Sequence, residues 1–111
     1  MGLSIGVVGA GQFAPSFIPL FQAHPLVDEV CLAELDPDRR ATQAARFGLE
    51  RVAETHQDLL TGDVDAVAIF SQRWTHAPIA IEALDAGKHV YSAVPAAISL
   101  EEMKALVAKV A

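Results

Sequence analysis

The sequence predicts an α/β domain, a doubly wound parallel sheet with helices on both faces. Three observations carry this. Short apolar runs alternate with amphipathic stretches along the chain. The first run, Leu3–Gly9, is too short for a core helix and ends in glycines. The run Asp65–Phe70, "DAVAIF", is nearly all apolar, as expected where both faces of a sheet are covered. Right-handed crossovers then give an expected strand order of 3-2-1-4-5.

The elements follow in order. Leu3–Gly9 reads as the first strand. Gln12–Ala23 reads as a helix with Phe13, Phe17, Leu20 and Phe21 on one side, and Pro19 inside it predicts a kink or a shortened regular part. Glu29–Leu35 is the second strand. Pro37–Phe47 is a helix with Asp36 as N-cap, Pro37 at its first position and Gly48 as its stop. A weak strand lies near Arg51–Ala53. Thr55 and Asp58, three residues apart, open a short helix. After Asp65–Phe70, Thr75 is placed as the cap of a helix reaching Ala86, with Pro78 in its first turn and Gly87 at its end. His89–Ser92 is the last strand. Ser99 and Glu102 form a capping box, and Met103, Leu106, Val107 and Val110 follow at helical spacing.

At 111 residues the chain is one domain, residues 1–111. Eight basic against 14 acidic residues leave a net charge of −6, and Arg39-Arg40 is the longest basic run. Nucleic acid and anionic membrane are poor partners for such a surface. No run of 18 apolar residues spans a membrane. "MGLSIGVVG" lacks the basic start of a signal peptide and reads as a strand. The single cysteine, Cys31, lies in an apolar run. It reads as a small buried hydrophobe in a reducing, cytoplasmic protein. No His, Cys and carboxylate residues have metal-ligand spacing, and no Ser-His-Asp arrangement can be argued, so no catalytic residue is assigned.

The turn after the first strand carries the chemistry. Gly9-Ala10-Gly11-Gln12-Phe13-Ala14 is a G-x-G-x-x-A pattern between a strand and a helix. Gly9 allows the tight turn, Gly11 lets backbone approach a pyrophosphate, and Ala14 lets helix and strand pack closely. The helix start offers free N–H groups and a positive dipole end to an anion. Glu34 lies 34 − 11 = 23 residues past Gly11, near the roughly 20 expected for the acid that binds ribose hydroxyls. This makes the domain a Rossmann fold that binds a dinucleotide through Gly9, Gly11, Gln12, Phe13, Ala14 and Glu34. Two alternatives stay open: a glycine turn that only packs, and a methyltransferase, whose turn usually has an acid where Val7-Val8 stand. Glu34 repels a 2′-phosphate, which favours NAD over NADP. Arg39 is placed to stack on adenine or reach a phosphate, or it is a solvated surface arginine.

"GVVGAG", "AELDPDRR" and "HAPIAIEALDAGKHVYSAVPAAISLEE" together resemble the N-terminal half of the Gfo/Idh/MocA oxidoreductases. The resemblance covers nearly the whole chain and implies a Rossmann domain followed by a larger domain that binds a sugar-like substrate and helps form oligomers. The chain ends after a helix, where another strand often follows, which fits the first part of a two-domain protein. The family's usual Cys-Glu-Lys-Pro is here Ser92-Ala93-Val94-Pro95. The lysine that in the family lies near the nicotinamide falls on Val94, and the glutamate on Ala93. The turn is carried over, through Ser92 and Pro95, without the catalysis. Related NAD-dependent glycosidases are similar in having Val-Pro-Ala there. The loop Ser71-Gln72-Arg73-Trp74-Thr75-His76 matches the family's cofactor-contacting segment loosely. Ser71 and His76 are its candidates; His76 touches ribose or substrate, or it only suits the helix end in its neutral form. Arg73 and Trp74 could contact ligand or be ordinary loop surface. His24, His56 and His89 are expected to be structural.

The expected function is therefore the NAD-binding domain of an oxidoreductase that moves hydride to or from a sugar, polyol or related hydroxy compound, in a homo-oligomer. The rivals are a non-catalytic NAD-binding module and a redox-neutral, glycosidase-like enzyme.

Overall fold

The computed structural model describes residues 2–110. Five parallel strands form one sheet in the order β3-β2-β1-β4-β5, which bears out the expected topology. They are β1 (Leu3–Val8), β2 (Val27–Ala33), β3 (Val52–Ala53), β4 (Ala66–Ile69) and β5 (His89–Ser92). The helices are α1 (Ala14–Ala23), α2 (Pro37–Phe47), α3 (His56–Leu60), α4 (His76–Asp85) and α5 (Leu100–Val110).

Alternation along the strands divides the core. Val7, Leu32 and Ala68 point to one face and pack with Ala14 and Ile18 of α1. Val8, Cys31, Val67 and Ile69 point to the other, against Leu59, Ala80 and Ala83. Leu32, Ile18, Val7 and Ile69 are fully buried, each burial being worth about 1.5–3 kcal/mol. The small residues Ala77, Ala80 and Ala83 of α4 are buried and let that helix lie close to the sheet.

Several capping expectations hold. Asp36 accepts hydrogen bonds from the N–H groups of Asp38 and Arg39 at 2.9 and 3.2 Å. Gly48 ends α2 with φ +67°. Ser99 accepts from the Glu102 N–H, and the Glu102 carboxylate reaches back to the N–H of Ile98, one residue before the box position.

Other expectations are corrected. β2 starts at Val27 and ends at Ala33. Asp28 sits at the open N-terminal end of the sheet, where its carboxylate takes the Gly2 N–H, so a charge there does not stop the strand. α1 begins at Ala14 and runs through Pro19. Its core face is Ala14 and Ile18 with Phe17 and Phe21 half-buried, while Phe13 and Leu20 point to solvent. Thr75 stands at the N-cap position of α4 as expected, but its side chain makes no capping hydrogen bond. Its hydroxyl donates to the Gln72 carbonyl at 2.6 Å, the same oxygen that takes the Thr75 N–H at 2.9 Å and so closes a 3-10 turn over Arg73–Thr75 leading into the helix. On α5 only Leu106 packs on the core; Met103, Val107 and Val110 are exposed. No helix among the described residues is long and apolar enough to cross a membrane.

Candidate functional site

The sheet's register aligns the strand ends. Val8 pairs with Ala33 and Ile69, Ala33 with Ala53, and Ile69 with Ser92. The ladder runs one residue further through backbone hydrogen bonds of Gly9 to Ala33, Glu34 to Ala53, Phe70 to Val8 and Ala93 to Ile69. Gly9, Glu34, Glu54, Phe70 and Ala93 thus form a row just beyond the strands. All five line a single cleft of about 820 Å³. It opens at the carboxyl ends of the strands, across the point where the strand order reverses, which is where open α/β sheets bind ligands.

The two glycines of the turn differ. Gly9 has φ +91°, and a Cβ there would lie 2.8 Å from both Cα and N of Ser71. Its need for glycine comes from the fold. Gly11 has no positive φ, and a Cβ there would meet nothing within 4 Å. Its side-chain position opens into the cleft, so nothing within the described chain requires glycine. Gln12 and Phe13 line the cleft beside it, Phe13 exposed. Ala14 is fully buried against the sheet and does not line the cleft. No side chain caps the start of α1, and no acid lies in its first turn. This end of the helix can therefore take an anion.

Glu34 is buried polar. One carboxylate oxygen accepts the Ala10 N–H at 2.7 Å, and the other accepts the Asp36 N–H at 3.0 Å. A carboxylate offers about four acceptor positions, so about two remain for a ligand's hydroxyls. Arg39 stands half-exposed at the rim, 4.0 Å from Glu34, and Arg40 donates to the Glu34 backbone carbonyl at 2.7 Å.

At the far side of the cleft, Ser71 shares a 2.7 Å hydrogen bond with Thr75. The Thr75 proton is directed to Gln72, so Ser71 is the donor in that pair. His76 is almost fully buried, with Nε2 2.8 Å from the Ser71 carbonyl and Nδ1 2.7 Å from the Pro95 carbonyl. Both ring nitrogens are thus engaged by backbone, and the ring ties the β4 and β5 loops together. A neutral imidazole donates to one of these carbonyls and an imidazolium to both. Ser92 donates to the Ala93 carbonyl. Neither Ser92 nor Pro95 lines the cleft, whereas Val94 does and is 90% exposed.

Several lining residues were missed from the sequence, Glu54 and His56 among them. Glu54 is one residue past the end of β3, and that position in the row is the signal that finds it. His56, read as structural, lines the cleft and pairs with Glu82. Cys31 lies away from the cleft, fully buried; burial, with Glu29 nearby, pushes its thiol above the ordinary range. Among the described residues no three His, Cys, Asp or Glu side chains come together as a metal site.

Comparison with known proteins follows the same lines. The family model GFO_IDH_MocA, an oxidoreductase family with an NAD-binding Rossmann fold, matches residues 3–111. A levoglucosan dehydrogenase of Pseudarthrobacter phenanthrenivorans is 33% identical, covering 94% of this chain and 29% of its own length. A glycosyl hydrolase family 109 protein of Shewanella sp. (strain W3-18-1) is 41% identical, covering 88% of this chain and 24% of its own. The crystal structure of the WlbA dehydrogenase from Bordetella pertussis, in complex with NADH and UDP-GlcNAcA, superposes with a TM-score of 0.90 at 27% identity. That match covers 98% of this chain and 34% of that one. The chain thus spans about a third or less of the length of these relatives.

Proposed function

The chain belongs to the Gfo/Idh/MocA oxidoreductase family, and on that premise we propose that it is the cofactor domain of a longer, two-domain, NAD-dependent oxidoreductase of sugars, polyols or related hydroxy compounds. The observation that carries this is the open space over Gly11. A cradle that a Cβ would fill, between an uncapped helix start and a carboxylate with acceptor positions to spare, suits a dinucleotide. The backbone around Gly11 and the start of α1 would hold the pyrophosphate. Glu34 would take the adenosine ribose hydroxyls, with Arg39 over the adenine or at the rim. Gln12, Phe13 and Ser71 are the further proposed contacts. Ala14, His76, Ser92 and Pro95 would act by packing and by setting the loops.

A bound NAD would supply C4 of its nicotinamide as the hydride carrier. This chain's part is to position it and to exclude water. In the β4–β5 half of the cleft the Ser71 hydroxyl and both His76 nitrogens are already engaged. The group that accepts the substrate's hydroxyl proton is therefore proposed to lie in the substrate domain. The proposed setting is the cytoplasm, given the free buried thiol, and the proposed assembly is a homo-oligomer.

NAD is proposed over NADP because a 2′-phosphate would face the Glu34 carboxylate. Calorimetric titration of both nucleotides tests this; equal or tighter NADP binding overturns it. Val94 favours a second reading, in which the whole enzyme is redox-neutral and glycosidase-like, or the domain binds NAD without catalysis. Release of the chromogenic phenol from an aryl glycoside, with NAD required but no net NADH, would select the glycosidase-like form. NAD binding with neither activity would select the module.

A further inference from the structure

The charges lining the cleft are segregated. Its β2–β3 half carries Glu34, Asp36 and Glu54 with one cation, Arg39; its β4–β5 half carries one formal charge, Arg73. Arg73 opens the 3-10 turn after β4 and is exposed. Among the described residues, no carboxylate lies within 4 Å of it, whereas Arg39 has one and Arg51 two; Arg40 and Arg46 also lack one, but Arg40 is held by the Glu34 carbonyl and Arg46 lies over the Phe47 ring, and neither lines the cleft. Beside it on the same turn, Trp74 is 57% exposed, although an indole is a large apolar body that normally seeks burial. The rest of that wall, Phe70, Ala93 and Val94, is uncharged.

We propose that Arg73, with Trp74 beside it, determines specificity by selecting a substrate with an anionic substituent, a carboxylate or a phosphate on a polyhydroxy frame. The proposal rests on the dinucleotide reading above, which assigns the acidic half of the cleft to adenosine and leaves the β4–β5 half to nicotinamide and substrate. The guanidinium presents a planar fork that matches a carboxylate or phosphate in bidentate fashion. The indole supplies an apolar face for the C–H side of a sugar and an N–H for a hydroxyl. Oxidised nicotinamide is itself cationic, so an anionic substituent offsets two positive charges in a half-cleft without an acid.

Trp74 is the only tryptophan in the chain, so its fluorescence reports this turn alone. The test titrates the NAD-saturated protein with D-glucuronate, D-glucose 6-phosphate and D-glucose, in wild type and Arg73→Met. NAD affinity of both is measured by calorimetry. We expect a saturable fluorescence change with at least one anion and none with glucose, and Arg73→Met weakens the anion by at least about tenfold. The better anion tells carboxylate from phosphate. NAD affinity of the variant stays within about threefold, a difference under about 1 kcal/mol. A response to glucose equal to that of the anions, no response to either anion, or an unchanged Arg73→Met variant overturns the proposal. A variant that loses NAD as strongly as the anion also overturns it, because Arg73 then serves the cofactor's phosphates. If wild type itself fails to bind NAD, the dinucleotide reading falls first.

Discussion

Gly11→Val separates what the glycine turn does for the ligand from what it does for the fold. The backbone at Gly11 has no positive φ, and the space a Cβ would enter is empty to 4 Å. Adding a side chain there removes unfolded-state freedom and meets nothing, so stability should change by no more than about 1 kcal/mol. The cleft side differs. A pyrophosphate must come within hydrogen-bond distance of backbone N–H groups here, and a branched side chain occupies that approach. Each charge-assisted hydrogen bond is worth about 1.5–3 kcal/mol. Losing two costs about 3–6 kcal/mol, which is about a hundredfold or more in affinity.

Gly9→Ala is the counterpart. Its φ of +91° strains any L-residue, and its Cβ would lie 2.8 Å from backbone atoms that cannot swing aside. The left-handed conformation alone costs about 1–2 kcal/mol, and the clash adds to it. A loss of about 2 kcal/mol or more should lower Tm by about 8 °C in a domain this size. Thermal melts by circular dichroism and NAD calorimetry on both variants are the assay. The expected pattern is a stable Gly11→Val that does not bind and an unstable Gly9→Ala. NAD affinity within threefold of wild type in Gly11→Val would refute the reasoning, because the open space over Gly11 would then not be the ligand's.

Glu34→Gln removes the charge that faces a 2′-phosphate, so the ratio of NAD to NADP affinity should fall by about tenfold; an unchanged ratio in paired calorimetric titrations counts against Glu34. His76→Ala leaves the Ser71 and Pro95 carbonyls without the ring and opens a buried gap. We expect a loss of about 2–4 kcal/mol by denaturant unfolding, and an unchanged midpoint would mean that the tie is not needed. Cys31 holds its proton more tightly folded than unfolded. Its contribution is complete below the ordinary thiol value of 9.0 and is lost as pH rises toward the higher folded value. Wild type should thus lose more stability than Cys31→Ala between about pH 8 and 10, and parallel losses would remove Cys31 as the cause. Val94→Lys should melt as wild type does, the side chain being 90% exposed, and should not raise NAD reduction with a sugar panel, because Ser92 and Ala93 beside it offer no charged group to work with a lysine; a rise of about tenfold or more, still short of the roughly hundredfold at which acid–base assistance begins, would overturn that.

What could be read from the sequence was local. The strand order came from alternating runs, and the glycine turn and Glu34 came from spacing, because adjacent residues and regular crossovers determine them. Contacts between distant segments were not legible. Nothing near His76 in the chain shows that the Pro95 carbonyl, 19 residues on, arrives at Nδ1. In the sequence Phe13, Phe17, Leu20 and Phe21 read as one side of α1, but the stripe packed on the core is Ala14, Phe17, Ile18 and Phe21; Phe13 precedes the helix and Leu20 lies off that stripe, and both are exposed. Thr75 has the composition of a cap, but its hydroxyl is taken by Gln72 in a turn that spacing does not reveal. Glu54 and His56 entered the cleft because β3 aligns its end with β2, and a two-residue strand carries too short a pattern to announce its register.

The cleft divides its work between backbone and side chains. Toward β1 and β2 the proposed binding groups are N–H groups, a missing Cβ and one buried carboxylate already oriented by two backbone donors. Backbone donors do not depend on which side chains the sequence carries. Toward β4 and β5 the wall is made of side chains. The β5 end, where the resemblance leads one to expect lysine, carries Val94; a cation stands instead on the neighbouring β4 loop, at Arg73. The two are not equivalent. A lysine can lose its proton and share in acid–base chemistry, whereas a guanidinium stays charged throughout the range in which proteins are folded. Arg73 can orient an anion and balance its charge, but it cannot relay the proton of a hydroxyl being oxidised. If hydride transfer takes place over this wall, the positive charge on it belongs to recognition, and the proton must leave through a group on the substrate's other side.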